Sequence, residues 1–547
     1  MNRDHRPGEA RVDRRTVLSR LATLGVLGLA GCGGDGSGGT TDPGDSPEST
    51  PTESREPTRG ETGTPVPSAP PENTPTESTE ATPDGTVTEP GVENSPTTVT
   101  PADASGDPPS DATVLFGDGV DGLERWQAVG GGDVPWIVED QYVEIDPDTA
   151  WIETVDPIGD CRLHLEFTVP EELAGETSGN SGVFLMGEYE FQVLDNTILD
   201  GGNDKMAGTY YEQSPPLCDP ARASTEWQAF DIIWRAPRFE NRQVAVPART
   251  TMFFNGVVVQ PHINVAGPTT PSGPGEYDPH PPELPLQLQD HGEPVRFRNV
   301  WYRSLPEERS TSRHEPVYGP DYQQSAYPAY APEEISRIDP GDGFGDPPSD
   351  ATVLIEGGDL SGWVGPDGGT PGWQEADGYV AIDPGSGDIR SEASFGDGRV
   401  HVEFRVPEDV SGAGRGRANS GVRLADRYEI QLLDNYDNDA EPTRWVGAYT
   451  GQAAPLASPV RAPGEWQSVD VVWQGPRFSQ GGSILDGPAR ATVLLNGVVV
   501  QNRLYVDGPN EDGSISSYRT HDPEQPLGLR DDGDRVHFRN VWYRPFD

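Results

Sequence analysis

Lysine is almost absent: Lys205 stands alone among 39 basic residues, and all the others are arginine. The basic residues are outnumbered by 90 acidic ones, leaving a formal charge of -51. That balance excludes nucleic acid as a partner, because phosphate binding needs clustered cations. An acidic, lysine-poor surface suits a protein that must stay hydrated where salt screens charge over a few ångströms. GC-rich codon bias would explain arginine over lysine, but not the excess of acids. The repeated parts of the chain contain no sustained 3.6-residue apolar period. Their motifs include no HExxH, EF-hand, phosphate-cradling glycine loop or GxSxG elbow, so no metal and no cofactor is called for. Cysteine is scarce, with three residues.

The first of these, Cys32, has a context of its own. Asp13-Arg14-Arg15-Thr16-Val17-Leu18 has the twin-arginine form, and the apolar run Leu21 to Ala30 after it is too short to span a bilayer. Leu29-Ala30-Gly31-Cys32 then resembles a lipobox. Residues 1–32 are therefore expected to be an export signal, with the protein held on the outer face of the cell membrane by a lipidated Cys32. Residues 33–105 are rich in Thr, Pro, Glu, Ser and Gly and nearly free of aromatics, the composition of a disordered stalk.

Beyond the stalk the sequence says everything twice. Gly106-Asp-Pro-Pro-Ser-Asp-Ala-Thr-Val-Leu115 recurs unchanged at Gly345 to Leu354, and Asn180-Ser-Gly-Val183 returns as Asn419 to Val422. Asn255-Gly-Val-Val-Val-Gln260 returns as Asn496 to Gln501, and Phe297 to Arg303 as Phe538 to Arg544. The expected organisation is copy one at 106–304, a linker at 305–344, and copy two at 345–547. Within the linker, Glu333 to Ile338 could form a short helical turn.

Both copies read as β. Leu163, Leu165, Phe167 and Val169 alternate onto one face, as do Tyr189, Phe191 and Val193. Asn255-Gly256 and Asn496-Gly497 favour the positive φ angles of a type I′ turn and predict hairpins. Many short strands with Gly/Pro-rich connections predict an all-β fold of two jelly-roll sandwiches in tandem.

If Tyr189, Phe191 and Val193 face the core, Glu190 and Gln192 project from the other side, with Asp195 at the strand end. Two carboxyls and an amide there can supply an acid, a base and an orienting donor; the same spacing also fits an ordinary solvated strand. Asp290-His291-Gly292 is equally a base with its orienter, a sugar-binding pair, or a turn. Cys161 and Cys218 are replaced together in copy two, by Gly398 and Ala457, which fits either a disulfide or two independent thiols.

The ordered series Asn-Ser-Gly-Val, Tyr-Glu-x-Gln-x-Leu-Asp, Gly-x-Tyr, Glu-Trp-Gln, Pro-Arg-Phe, Pro-Ala-Arg, Asn-Gly-Val-x-Val-Gln, Leu-Gln-Asp-His-Gly and Arg-Phe-Arg-Asn-Val-Trp resembles the 3-keto-disaccharide hydrolase domain family. That resemblance covers both copies and implies a concanavalin-like fold and cleavage of glycosides already oxidised at C3. A C3 carbonyl acidifies the C2 hydrogen, so a base can remove it and the C1 substituent can leave by elimination, with water added later. Carried over by motif, the catalytic candidates are Glu190, Asp195, Asp290 and His291 in copy one, and Glu429, Asp434 and Asp531 in copy two. The substrate-binding candidates are Gln192, Tyr210, Arg222 and Gln289, then Arg427, Gln431, Tyr449 and Arg461. The copies depart from the pattern differently: Glu188 replaces the arginine kept as Arg427, while Gln289-Asp290-His291 becomes Arg530-Asp531-Asp532. The alternative to an enzyme is a lectin-like, carbohydrate-binding surface lipoprotein.

Overall fold

The computed structural model describes residues 96–101, 106–117, 121–173, 175–198, 205–307, 312–313, 335–479, 485–511 and 514–546. The export signal, Cys32 and nearly all of the stalk lie outside them. In the first copy the long strands Cys161–Thr168, Gln228–Arg235, Arg249–Phe254, Val257–Asn264 and Arg296–Ser304 build the larger sheet, with Thr113–Phe116, Val143–Glu144 and Ile137–Val138 beyond Arg296–Ser304. The smaller sheet runs in the order Trp126–Ala128, Ile152–Thr154, Gln287–Leu288, Ser181–Leu185, Tyr189–Val193. Pairing within both sheets is antiparallel. The second copy repeats both sheets in the same order.

The alternation explains the layers. Leu163, Leu165 and Phe167 point inward from the larger sheet and meet Tyr189, Phe191 and Val193 from the smaller one in a single core. Ile430, Leu432, Val400, Val402 and Phe404 do the same in copy two. Asn255 and Gly256 have φ of 48° and 80°, and Asn496 and Gly497 of 48° and 76°, as the type I′ turns require.

The outer face of the larger sheet departs from simple alternation, since Arg162 and His164 are as buried as the apolar side chains. The reason is that each copy covers the other. Ile233, Phe253 and Val258 of copy one, with Leu305 directly after it, pack with Val472, Leu494, Val499 and Phe546 of copy two, residues that match one another in the repeat. Arg162 donates to the carbonyl of Gly497, and its counterpart Arg399 donates to that of Gly256. Equivalent patches thus bind each other reciprocally, the pattern of a two-fold dimer within one chain.

The flanking segments obey the same rule. Thr97–Thr98, before copy one, pairs in parallel with Ala457–Ser458 of copy two. Before copy two, Arg337 bridges Asp219 of copy one in parallel, and residues 335–338, the described part of the expected helical turn, are not helical. Cys161 and Cys218 are both free and buried, so of the two readings of this pair the independent thiols hold.

Candidate functional site

The hairpin Ser181–Leu185 and Tyr189–Val193 ends the smaller sheet, and packing of Tyr189, Phe191 and Val193 inward turns Glu190 and Gln192 outward. This is not a solvated strand face: Glu190 is 6% exposed and Gln192 2%. Residues 208–211 and Thr269 close over the free edge, with Gln192 N donating to Thr209 O, Tyr211 N to Glu190 O, and Glu190 N to Thr269 Oγ1. The Glu190 side chain lies across Gly182, where an added Cβ would meet Oε1 at 2.7 Å and have to displace it.

Among the described residues the Glu190 carboxyl has no hydrogen-bond or ionic partner, and burial raises its pKa to about 7. Beside it, Gln192 Nε2 donates to Asn180 Oδ1 at 2.9 Å and to the carbonyls of Ser181 and Val193. Asn180 Nδ2 lies 3.3 Å from His291 Nδ1. A buried carboxyl poised near neutrality, beside a hydrogen-bonded chain that runs from Gln192 through Asn180 to an imidazole, can take a proton.

Copy two keeps the frame but fills it differently. Glu429 lies over Gly421 as Glu190 lies over Gly182, with the added Cβ 2.7 Å from Cδ. Arg530, standing where copy one has Gln289, donates from Nη1 to both Glu429 oxygens at 3.0 Å and from Nη2 to Asp532 at 3.1 Å. Burial still raises the Glu429 pKa, against the pull of Arg530. Gln431 Nε2 donates to Asn419 Oδ1 at 2.7 Å, and Asn419 Nδ2 bonds Asp532, the counterpart of His291.

A sequence profile of the 3-keto-alpha-glucoside-1,2-lyase-like domain matches residues 111–303 and again residues 350–544. The chain belongs to that family. Among solved structures, a candidate glycosyl hydrolase from Parabacteroides distasonis is 35% identical over 37% of this chain and 85% of its own, with a TM-score of 0.35. A second candidate glycosyl hydrolase from the same organism is 21% identical over 36% of this chain and 94% of its own, at a TM-score of 0.27. A carbohydrate-binding module from Bacillus subtilis is 13% identical over 33% and 93%, at 0.19. No curated protein matches significantly. Membership of the 3-keto-alpha-glucoside-1,2-lyase-like family marks both copies as carbohydrate-active domains.

The family motifs do not all arrive at one place. Asp290 holds a turn: its carboxylate accepts from Thr149 N and Gly292 N, each at 2.8 Å. Asp531 does likewise for Gly385, Gly387 and Gly533. Asp195 accepts from Thr197 N and Oγ1 beyond the strand end, and its Oδ2 is buried with no partner among the described residues. Its counterpart Asp434 is 2.6 Å from Arg417 Nε; copy one has Ser178 there. Tyr210 and Tyr449 sit in the cores, their hydroxyls donating to Gly267 O and Gly508 O.

The arginines are scattered. Arg222 grips the carbonyls of Gly341 and Asp342 ahead of copy two, and Arg461 lines a separate cavity between the copies. Arg427 bonds Ala425 O and Gln525. Gln289 is 9% exposed, directly after the short strand Gln287–Leu288, with N donating to Gly182 O. Glu190, Gln192, Gln289 and His291 therefore share one patch, as do Glu429 and Gln431 in copy two, while Asp195, Asp290, Arg222 and their counterparts lie outside it.

Sequence reasoning passed over Asn180 and Asn419, which join the glutamine to position 291 or 532; their place in the repeated Asn-Ser-Gly-Val motif was the available signal. It also passed over the outer face next to the hairpin. There the Trp151 and Phe184 rings pack with centroids 4.9 Å apart, and Glu153 accepts from Gln127 and Gln287. Nothing in the spacing shows that residues so far apart in sequence meet.

Proposed function

We propose that this chain is an extracytoplasmic enzyme, held at the membrane by a lipidated Cys32, that cleaves 3-keto-glycosides through copy one. The observation that carries this reading is Glu190, a buried carboxyl without a partner among the described residues and with its pKa raised to about 7. In the reaction, the Glu190 carboxylate takes the C2 proton and the electron pair moves into the C2–C3 bond, giving the C3 enolate. The enolate then reforms the C3 carbonyl as C1=C2 forms and the C1–O bond breaks, and the departing oxygen is protonated. Water adds to C1 of the enone, giving its proton back to the group that protonated the departing oxygen, and Glu190 returns its proton to C2, so no net oxidation occurs. Protonation of the leaving oxygen is assigned to the imidazole of His291, which is held against Asn180 while Gln192 fixes Asn180.

In copy two a single Arg530 nitrogen, Nη1, holds both oxygens of the equivalent carboxylate, which suits binding better than proton transfer. The test is incubation of residues 33–547 in molar salt with 3-keto-trehalose and with unoxidised trehalose. Release of 3-keto-glucose from the oxidised sugar alone, abolished by Glu190→Gln and kept by Glu429→Gln, is the expected result. Binding of sugars without turnover would favour a lectin-like role instead.

A further inference from the structure

The two copies carry different charged groups on the same sheet face: arginines are gathered in copy two where copy one has acids, neutral residues and one lysine. In a chain so poor in cations, copy two gathers Arg390, Arg415, Arg423, Arg427, Arg444 and Arg530 around Glu429. Arg423 pairs directly across from Glu429, and Arg390 pairs with Gly528, the residue that also pairs with Arg423. The acids on this face are Glu429, Asp388, Asp426, Asp532 and Glu441. They engage Arg530 and Arg423 closely, and Arg444 only at 3.9 Å.

Four arginines keep free hydrogen-bonding capacity. Arg390 and Arg415 are exposed and have no bond or ion pair among the described residues. Arg427 is bonded only to the neutral oxygens of Ala425 and Gln525. Arg444 Nη1 is buried with no acceptor among the described residues, and burial with the nearby Arg415 and Arg530 charges lowers the Arg444 pKa. Guanidiniums held together against their own repulsion, with an unfilled donor pointing into protein, lack an anion.

The same positions in copy one are Glu153, Glu176, Phe184, Glu188, Lys205 and Gln289. There Lys205 is paired with Glu212 at 3.7 Å. Glu212 holds φ of 55° where copy two has Gly451, an unfavourable conformation kept where its carboxylate meets the one lysine. Trp151 replaces Asp388, and its half-buried ring, backed by the buried Phe184, suits the apolar face of an uncharged sugar.

We propose that the copy two face binds an anionic saccharide, one bearing carboxylate or sulfate groups, while copy one takes an uncharged one. This rests on reading both faces as sugar sites. Residues 33–547 would be titrated by calorimetry in molar KCl with a tetrasaccharide of uronic acids, a sulfated tetrasaccharide, a neutral tetrasaccharide and inorganic sulfate.

Expected is binding of at least one anionic sugar, weakened at least tenfold by Arg390→Gln with Arg444→Gln and unaffected by Trp151→Ala. The neutral sugar should show the reverse dependence. Which anionic probe binds assigns carboxylate or sulfate. If the neutral sugar binds through Trp151 and no anionic sugar binds, or if its binding ignores the arginine changes, the proposal is overturned and the sugar reading survives. If inorganic sulfate binds as tightly as the sulfated sugar, the site holds an adventitious ion only and the proposal is overturned. If no sugar binds either face, the proposal is overturned, and the sugar reading falls with it only if 3-keto-trehalose is not turned over either. Circular dichroism of the double variant separates lost binding from lost fold, and Arg390→Lys with Arg444→Lys keeps charge without the fork, so intermediate affinity is expected there.

Discussion

Replacing Glu190 by glutamine should stabilise the protein while disabling it. The carboxyl is buried without a partner, and its pKa rises from 4.5 to about 7. A carboxyl whose folded pKa lies above its unfolded value costs no stability while it is protonated in both states, below about pH 4.5. The cost grows as pH rises between the two values and is complete above about pH 7. At 1.36 kcal/mol per pKa unit, the penalty on the wild type reaches about 3 kcal/mol. Glutamine is nearly isosteric and carries no charge, so it removes that penalty.

For a domain of this size the gain corresponds to a rise in Tm of up to about 10 °C. Thermal melts of wild type and variant at pH 5 and pH 8 in the same molar salt provide the assay. The transition of copy one should shift little at pH 5 and strongly at pH 8. Loss of stability at pH 8, or a gain independent of pH, would refute the account of Glu190 as a desolvated, unpaired carboxyl.

The matching change in copy two should gain less at pH 8 than Glu190→Gln does: burial also raises the Glu429 pKa, but Glu429→Gln gives up the charge-assisted bond from Arg530, and the same melts read the difference. Turnover of a 3-keto-glycoside should rise about tenfold per pH unit below pH 7 and level off above it, because the base must be ionised; a flat profile across that range would remove Glu190 from the rate-limiting step. Burial pushes the Cys218 thiol up to about 12 and also raises that of Cys161, so in a chain lacking Cys32 neither should react with a thiol reagent until the protein unfolds, when both should. Asp470→Asn should cost about 3–5 kcal/mol, since Asp470 Oδ1 accepts from Arg399 at 2.6 Å and from His401 at 2.8 Å in a buried cluster; unchanged denaturant midpoints would show that the cluster is dispensable.

The layers of the fold were legible because alternation is a local property. Leu163, Leu165, Phe167, Tyr189, Phe191 and Val193 face inward as their spacing requires, and Asn255-Gly256 turns as its chemistry dictates. The direction of Glu190 followed from the same alternation, but its burial did not, because the Gly182 it lies against is on another strand and no local pattern shows it. Asp290 and Asp531 illustrate the opposite case. Their motif names carboxylates, yet backbone amides of distant glycines and Thr149 consume them. The interior position of Arg162 and His164 could not be read from one strand, since the surface that covers them belongs to the other copy.

The reciprocal patch between the copies has a further consequence. In a dimer of identical chains, every substitution appears in both subunits, so one cannot gain an arginine cradle while the other keeps an aromatic platform. Joining the halves in one chain fixes their ratio and lets each drift alone, while the shared hydrophobic seam, including Phe253 and Leu494, holds them in register. The divergence between Glu190 and Glu429 is what that freedom permits.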